Sequence, residues 1–307
     1  MSLETTLEAT THDTHTEAAS QHASLLPKIP VNRRTFFMAS LMTGYTMAAG
    51  PVNAQAVIKT DSEGLDAREI KVKTKDGEMP AYMARPANKK NPAVVLVSQE
   101  IFGVHEYIKD TCRRLAKAGY MAIAPELYAR QGDPSKYQLS EIQKLIADIV
   151  SKVPDAQVMT DFDACVDWAK ANGGDTKKLA ITGFCYGGRV TWLYAAHNPN
   201  VKTGVAWYGR LAGATTPITP KNPVDLVSSI KVPILGLYGA ADPGIPNNTL
   251  AQMQEALRAA KNDKCDFVLY PDTPHGFHAD FRGSYRKAAA EDGWARLLAW
   301  FKANGVA

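Results

Sequence analysis

Cysteine is scarce here: the chain has four in 307 residues, and no two are spaced as C-x-x-C, which argues against a zinc site. No run of lysines and arginines marks a nucleic-acid surface. The formal charge is only +4 and is spread along the chain. There is no glycine-rich phosphate loop and no internal repeat. The apolar run nearest the N-terminus, Phe36 to Ala49, contains Ser, Thr and Gly. It falls well short of the roughly 20 residues that a spanning helix needs. These gaps set aside nucleic acid, a membrane span and a metal site, and the reading calls for no cofactor. A small-molecule partner is what remains.

The N-terminus has its own content. Val31-Asn32-Arg33-Arg34-Thr35-Phe36-Phe37 resembles a twin-arginine export signal, and Ala54-x-Ala56 after the apolar run offers small residues to a signal peptidase. Residues 1–56 therefore read as a polar leader and signal, cleaved near Ala54 or Ala56. The precursor's partner would be the twin-arginine export machinery, and the mature product would be periplasmic. The stretch before Arg33 is acidic, unlike the usual basic start. Removing the leader takes four acids and three bases, so the formal charge rises from +4 to +5. That excess mildly favours anionic substrates. Residues 57–307 are long enough for one α/β domain with a substantial core.

Near the middle of the chain, the strand-like run Leu179 to Thr182 enters Gly183-Phe184-Cys185-Tyr186-Gly187-Gly188, and a helix-like run leads from Arg189 to His197. This is the setting of a nucleophile elbow, a sharp strand-to-helix turn that lifts one side chain above a parallel sheet. The glycines are expected because a β-carbon would clash in so tight a reversal. Downstream, the buried-strand pattern from Val232 to Gly239 ends in Ala240-Ala241-Asp242-Pro243. A second strand, Phe267 to Tyr270, opens into Pro271-Asp272-Thr273-Pro274-His275. The order Cys185, Asp242, His275 is that of the α/β-hydrolase arrangement.

Rivals are few among the seven histidines. His12, His15 and His22 lie in the polar leader, and His105 and His197 fall in or beside helical runs. His278 is the close competitor, as a pocket wall or a surface residue. Asp272 is the rival acid, better placed to shape the histidine loop. Cys112 and Cys165 sit in helical runs and Cys265 opens a strand, as buried small residues do. In an oxidising compartment a disulfide among these three stays open.

Strand-like runs at Glu69–Thr74, Pro80–Arg85, Ala93–Ser98, Tyr120–Ala124 and Val201–Trp207 alternate with helical patterns at Glu106–Ala118, Leu139–Val150, Ala156–Ala171 and Leu250–Ala260. Trp294–Phe301 closes the chain. This alternation predicts an α/β-hydrolase fold, a mostly parallel sheet with helices on both faces. The segment Gly213 to Pro220 reads as a connection.

At these residues the chain resembles the dienelactone hydrolase family, carboxymethylenebutenolidase-like enzymes of the α/β-hydrolase fold. Gln99-Glu100-Ile101-Phe102-Gly103 is similar to the family's Q-E-I-F-G segment, and the elbow is similar to its G-F-C-x-G-G. The resemblance implies that Glu100 contacts the resting thiol and helps to ionise it. It also implies that the N–H groups of Ile101 and Tyr186 form an oxyanion hole, and that Arg130 in Leu127-Tyr128-Ala129-Arg130 binds a substrate carboxylate. The family's second arginine, a few residues past the histidine, has no counterpart at that spacing, and Arg282 comes later. This counts against dienelactone itself as the substrate.

A thiol nucleophile narrows the chemistry. The thiolate is the reactive form, and His275 oriented by Asp242 can remove the proton. A thiolate also leaves more readily than an alkoxide, so acylation succeeds when the substrate's own leaving group is good. The expected function is hydrolysis of small activated esters or enol lactones. The alternatives are a promiscuous carboxylesterase or thioesterase on the same residues, and a catalytically silent binding scaffold.

Overall fold

Runs of Val, Ile and Ala make the centre of the sheet because such side chains pack well on both faces of a pleated strand. The computed structural model describes residues 57–307. Arg33, Arg34 and the cleavage positions Ala54 and Ala56 lie outside the described residues. The elements are β1 (Leu65–Thr74), β2 (Gly77–Pro86), β3 (Ala93–Ser98), α1 (Glu106–Lys117), β4 (Met121–Pro125), α2 (Ile142–Asp148), α3 (Asp155–Ala171) and β5 (Asp175–Phe184). They continue with α4 (Tyr186–His197), β6 (Val201–Trp207), β7 (Ile234–Gly239), α5 (Asn247–Ala259), β8 (Asp266–Tyr270) and α6 (Lys287–Ala303).

The eight strands form one sheet in the order β1-β2-β4-β3-β5-β6-β7-β8. β1 pairs antiparallel with β2, and β2 with β4, while every pairing from β4 to β8 is parallel. β3 is buried along its whole length, and its side chains alternate between two cores. Val94 and Leu96 pack with α3, α4 and α5, whereas Val95 and Val97 pack with α1 and α6. The parallel strands therefore carry helices on both faces, as the alternation predicts.

Several boundaries differ from the sequence expectation, and three have a clear local cause. β1 begins at Leu65, because its hairpin register with β2 runs from Leu65 opposite Pro86 to Thr74 opposite Gly77. The stretch Leu139–Val150 is not one helix. Glu141 turns its side chain back to accept the Gln138 N–H at 3.0 Å, which starts α2 only at Ile142. The closing helix starts at Lys287, since Ala288, Ala289 and Ala290 extend it.

All four cysteines are free thiols. Cys112 lies in the core beneath α1, while Cys165 and Cys265 belong to the opposite face of the sheet. Burial pushes the Cys112 and Cys165 thiols up and that of Cys265 to about 11. None of these three is an activated nucleophile. No helix among the described residues is long and apolar enough to cross a membrane.

Candidate active site

Cys185 occupies the single-residue turn between β5 and α4, with φ 58° and ψ −111°. A non-glycine residue in this region costs roughly 1–3 kcal/mol and persists only where its surroundings over-determine it. Here the Cys185 N–H donates to the Trp207 carbonyl at 3.0 Å, and the Cys185 carbonyl accepts from Gly188 and Arg189 at 3.0 and 3.3 Å. The glycines answer a close approach. A β-carbon on Gly183 would lie 2.2 Å from the Gly187 oxygen, and one on Gly187 would lie 2.2 Å from the Ser98 oxygen.

The acid and the histidine arrive past the ends of β7 and β8. Gly244 and Ile245 N–H groups hold one Asp242 oxygen at 2.8 and 3.2 Å. The other oxygen meets His275 Nδ1 at 2.6 Å. The two loops are stitched by Ala241 N–H to Thr273 O at 3.1 Å. On its far side His275 interacts with Cys185. Burial disfavours the imidazolium, but the Asp242 carboxylate and the Cys185 sulfur outweigh it and hold the His275 pKa well above its ordinary value. Cys185, Asp242 and His275 are each only 4% exposed, so these interactions act in a medium of low screening.

Tyr186 and Ile101, whose N–H groups the resemblance makes oxyanion donors, follow Cys185 and Glu100 directly in the chain. Tyr186 is the first residue of α4, where N–H groups lack intrahelical acceptors and the helix dipole is positive. Ile101 follows Glu100 in the turn after β3 and is fully buried. A helix N-terminus after the nucleophile is suited to stabilising a developing oxyanion.

The Glu100 carboxylate finds its hydrogen bonds in Arg282 and His105. Its Oε2 accepts from Arg282 Nη2 at 2.9 Å and lies 3.3 Å from His105 Nε2. Burial alone would raise its pKa, yet Arg282 and His105 together bring it down to about 2. Where the resemblance implied a resting Glu100–thiol contact, the carboxylate is instead hydrogen-bonded to a buried guanidinium, a stronger partner than a thiol. Arg282 itself stacks on Phe102 and Phe281 at 4.7 and 4.9 Å.

The dienelactone hydrolase family model matches residues 79–305. The chain belongs to the dienelactone hydrolase family. A Methylorubrum extorquens protein provisionally named a carboxymethylenebutenolidase is 58% identical over 92% of this chain and 97% of its own length. An Escherichia coli protein with the same provisional name is 51% identical over 86% of this chain and 96% of its own. A Klebsiella pneumoniae crystal structure, provisionally described as a dienelactone hydrolase, superposes with a TM-score of 0.75 at 54% identity. It covers 78% of this chain and 98% of that one.

Within this dienelactone hydrolase family chain, Arg130 departs from the role its motif suggests. Its guanidinium is taken up by Asp76 at 2.7 and 2.8 Å, Asp161 at 3.0 and 2.9 Å and Thr74 at 3.1 Å. It ties the β1–β2 turn to α3. Three partners thus hold the guanidinium between two elements, and the structure gives Arg130 a clamping role where the resemblance implied an anion anchor.

The rivals also resolve. Asp272 is exposed and sits in a left-handed turn at φ 49°, so it shapes the loop. His278 is 2% exposed and bonds to the Tyr107 hydroxyl at 2.6 Å. Sequence reasoning missed His105 as a partner of Glu100. It also left Arg282 without a role, because only the fold of the 276–286 loop brings it to Glu100. Among the described residues no cluster of three or more His, Cys, Asp or Glu could hold a metal ion.

Proposed function

We propose that this family member hydrolyses small activated esters or enol lactones through a covalent Cys185 intermediate. The observation that carries this is the Asp242–His275 pair set against the Cys185 thiol on a strained elbow. His275 takes the thiol proton, giving a thiolate–imidazolium pair whose imidazolium is stabilised by Asp242. The thiolate attacks the carbonyl carbon, and the resulting oxyanion accepts from the N–H groups of Ile101 and Tyr186. Collapse breaks the carbon–oxygen bond, and His275 returns its proton to the departing oxygen. Water, deprotonated by His275, then attacks the thioester, releases the carboxylic acid and restores the thiol.

The preference for activated substrates follows from the competing exits of the tetrahedral intermediate, since an ordinary alkoxide leaves less readily than the thiolate. Glu100 acts at one remove, by fixing Arg282 and His105 and by placing negative charge near His275. Arg282 replaces Arg130 as the candidate anion anchor. It is 4% exposed, and its Nε has no hydrogen-bond partner among the described residues.

A panel of enol lactones, aryl esters and thioesters, each with and without a carboxylate, tests this reading. Activated esters should turn over and stoichiometric alkylation of Cys185 should abolish it. Arg282→Gln should cost anionic substrates roughly 10-fold or more relative to neutral ones. Undiminished turnover after complete alkylation contradicts the covalent route.

A further inference from the structure

Beside the His275 loop, three buried side chains that the hydrolysis steps do not use stand in a row. Tyr208 follows β6 with φ 37°, the left-handed region. Such a conformation in a bulky residue persists only under strong constraint. Its ring meets His275 edge-on, with centroids 5.1 Å apart and planes at 64°, and it meets Phe277 at 5.2 Å. Its buried hydroxyl lacks a well-formed hydrogen bond among the described residues and is directed at the Tyr107 hydroxyl.

Tyr107, on α1, is bonded in turn to His278 Nδ1 at 2.6 Å. His278 is stacked between Phe184 at 5.2 Å and Trp294 at 5.8 Å, with Trp207 at 4.5 Å. The charged groups acting on this row are Glu100, Arg282, Arg114 and Asp280. Burial, reinforced by Arg114, lowers the His278 pKa to about 3. The ring is therefore neutral at working pH and offers a bare nitrogen.

A Phe–Leu pair would fill the same aromatic space without burying a phenol and an imidazole. Buried polar pairs of this kind fix one geometry more than they add stability. The geometry fixed here is that of Tyr208, whose ring walls the imidazole that Asp242 holds at only one nitrogen. We propose that Tyr208 is a positioning residue for His275, locked from behind by the Tyr107–His278 hydrogen bond, so that the imidazole stays aimed at Cys185. This rests on reading Cys185 and His275 as the reacting pair.

The test compares Tyr107→Phe, His278→Leu and His278→Asn in the full-length mature protein. Both His278 variants lose the ring, but Asn keeps a polar atom near the position of Nδ1. The readouts are the rate of Cys185 alkylation by neutral iodoacetamide from pH 5 to 9, and kcat and KM on an aryl ester. Tyr107→Phe and His278→Leu should slow alkylation at pH 6 by roughly 5- to 10-fold. They should lower kcat by a similar factor with KM unchanged, and His278→Asn should recover most of the loss.

Equal behaviour of the Asn and Leu variants, or a Tyr107→Phe profile matching wild type, would make the row simple core packing and overturn the proposal. If His278→Leu does not fold, Tyr107→Phe, which removes one oxygen atom, decides. His275→Ala separates the two readings: if it leaves the alkylation rate at pH 6 unchanged, the reacting pair itself is wrong and the proposal falls with it.

Discussion

Arg282 Nη2 lies 2.9 Å from Glu100 Oε2, and the two side chains are 4% and 2% exposed. Two residues 182 positions apart thus form a buried ion pair whose carboxylate acts on His275. Such a pair gains little net stability over apolar packing, but removing one partner strands the other charge. Glu100→Gln should therefore destabilise the protein by about 3–5 kcal/mol in urea unfolding. Glu100→Gln combined with Arg282→Met should recover much of that loss. Additive losses in the double variant would show that the two charges are not coupled.

Acid should unfold the protein in two stages. The folded His278 pKa is depressed to about 3, so the unfolded chain takes up its proton near 6.5 while the native state does not. This contribution is intact above that value and falls by about 1.4 kcal/mol per pH unit towards pH 3. Glu100, depressed to about 2, contributes stability above its unfolded value near 4.3 that is lost only below it. His278→Asn should flatten the decline between about pH 6.5 and 4.5, measured by the denaturation midpoint at each pH. An unchanged slope there would mean His278 is not a buried neutral histidine. His275 has the opposite sign: its raised pKa gives stability present below about 6.5 and lost as pH rises through the folded value.

Arg130→Ala should act on stability and not on charge selectivity. The guanidinium spans Asp76 and Asp161, and its loss leaves Asp161, 1% exposed, without its partner. A loss of about 1–3 kcal/mol is expected, with anionic and neutral substrates affected equally. A selective loss on anionic substrates would restore Arg130 as a substrate contact.

What was legible in the sequence is what short-range sterics dictate. The elbow glycines, Asp242 past β7 and His275 past β8 are read from turn residues and strand ends, and all fall within the fold that strand–helix alternation predicts. Arg282 and Tyr107 carry no such local mark. Their partners, Glu100 and His278, are 182 and 171 positions away, and only sheet order brings them together. Arg130 failed the other way. Its local motif was recognisable, but Asp76 and Asp161 captured it through contacts across the β1–β2 turn and α3.

Export should depend on the arginine pair. Replacing Arg33 and Arg34 by lysine keeps charge and hydropathy, yet a receptor that reads the pair should no longer accept the precursor. Full-length protein should then stay in the cytoplasmic fraction, while the unaltered sequence yields a periplasmic product starting near Gln55 or Val57. Equal processing of both would remove the twin-arginine reading.

The central claim is that a single thiol forms the covalent intermediate. Acid-quenching the enzyme during turnover of an activated ester, followed by peptide mass mapping, measures it directly. The mass of the acyl group should appear on the peptide carrying Cys185 and not on those carrying Cys112, Cys165 or Cys265. Cys185→Ala should show no adduct and lose at least about 10³-fold in kcat, whereas Cys112→Ala and Cys165→Ala keep their activity. An adduct on another residue, or a Cys185→Ala variant that retains most of its turnover, would contradict the account.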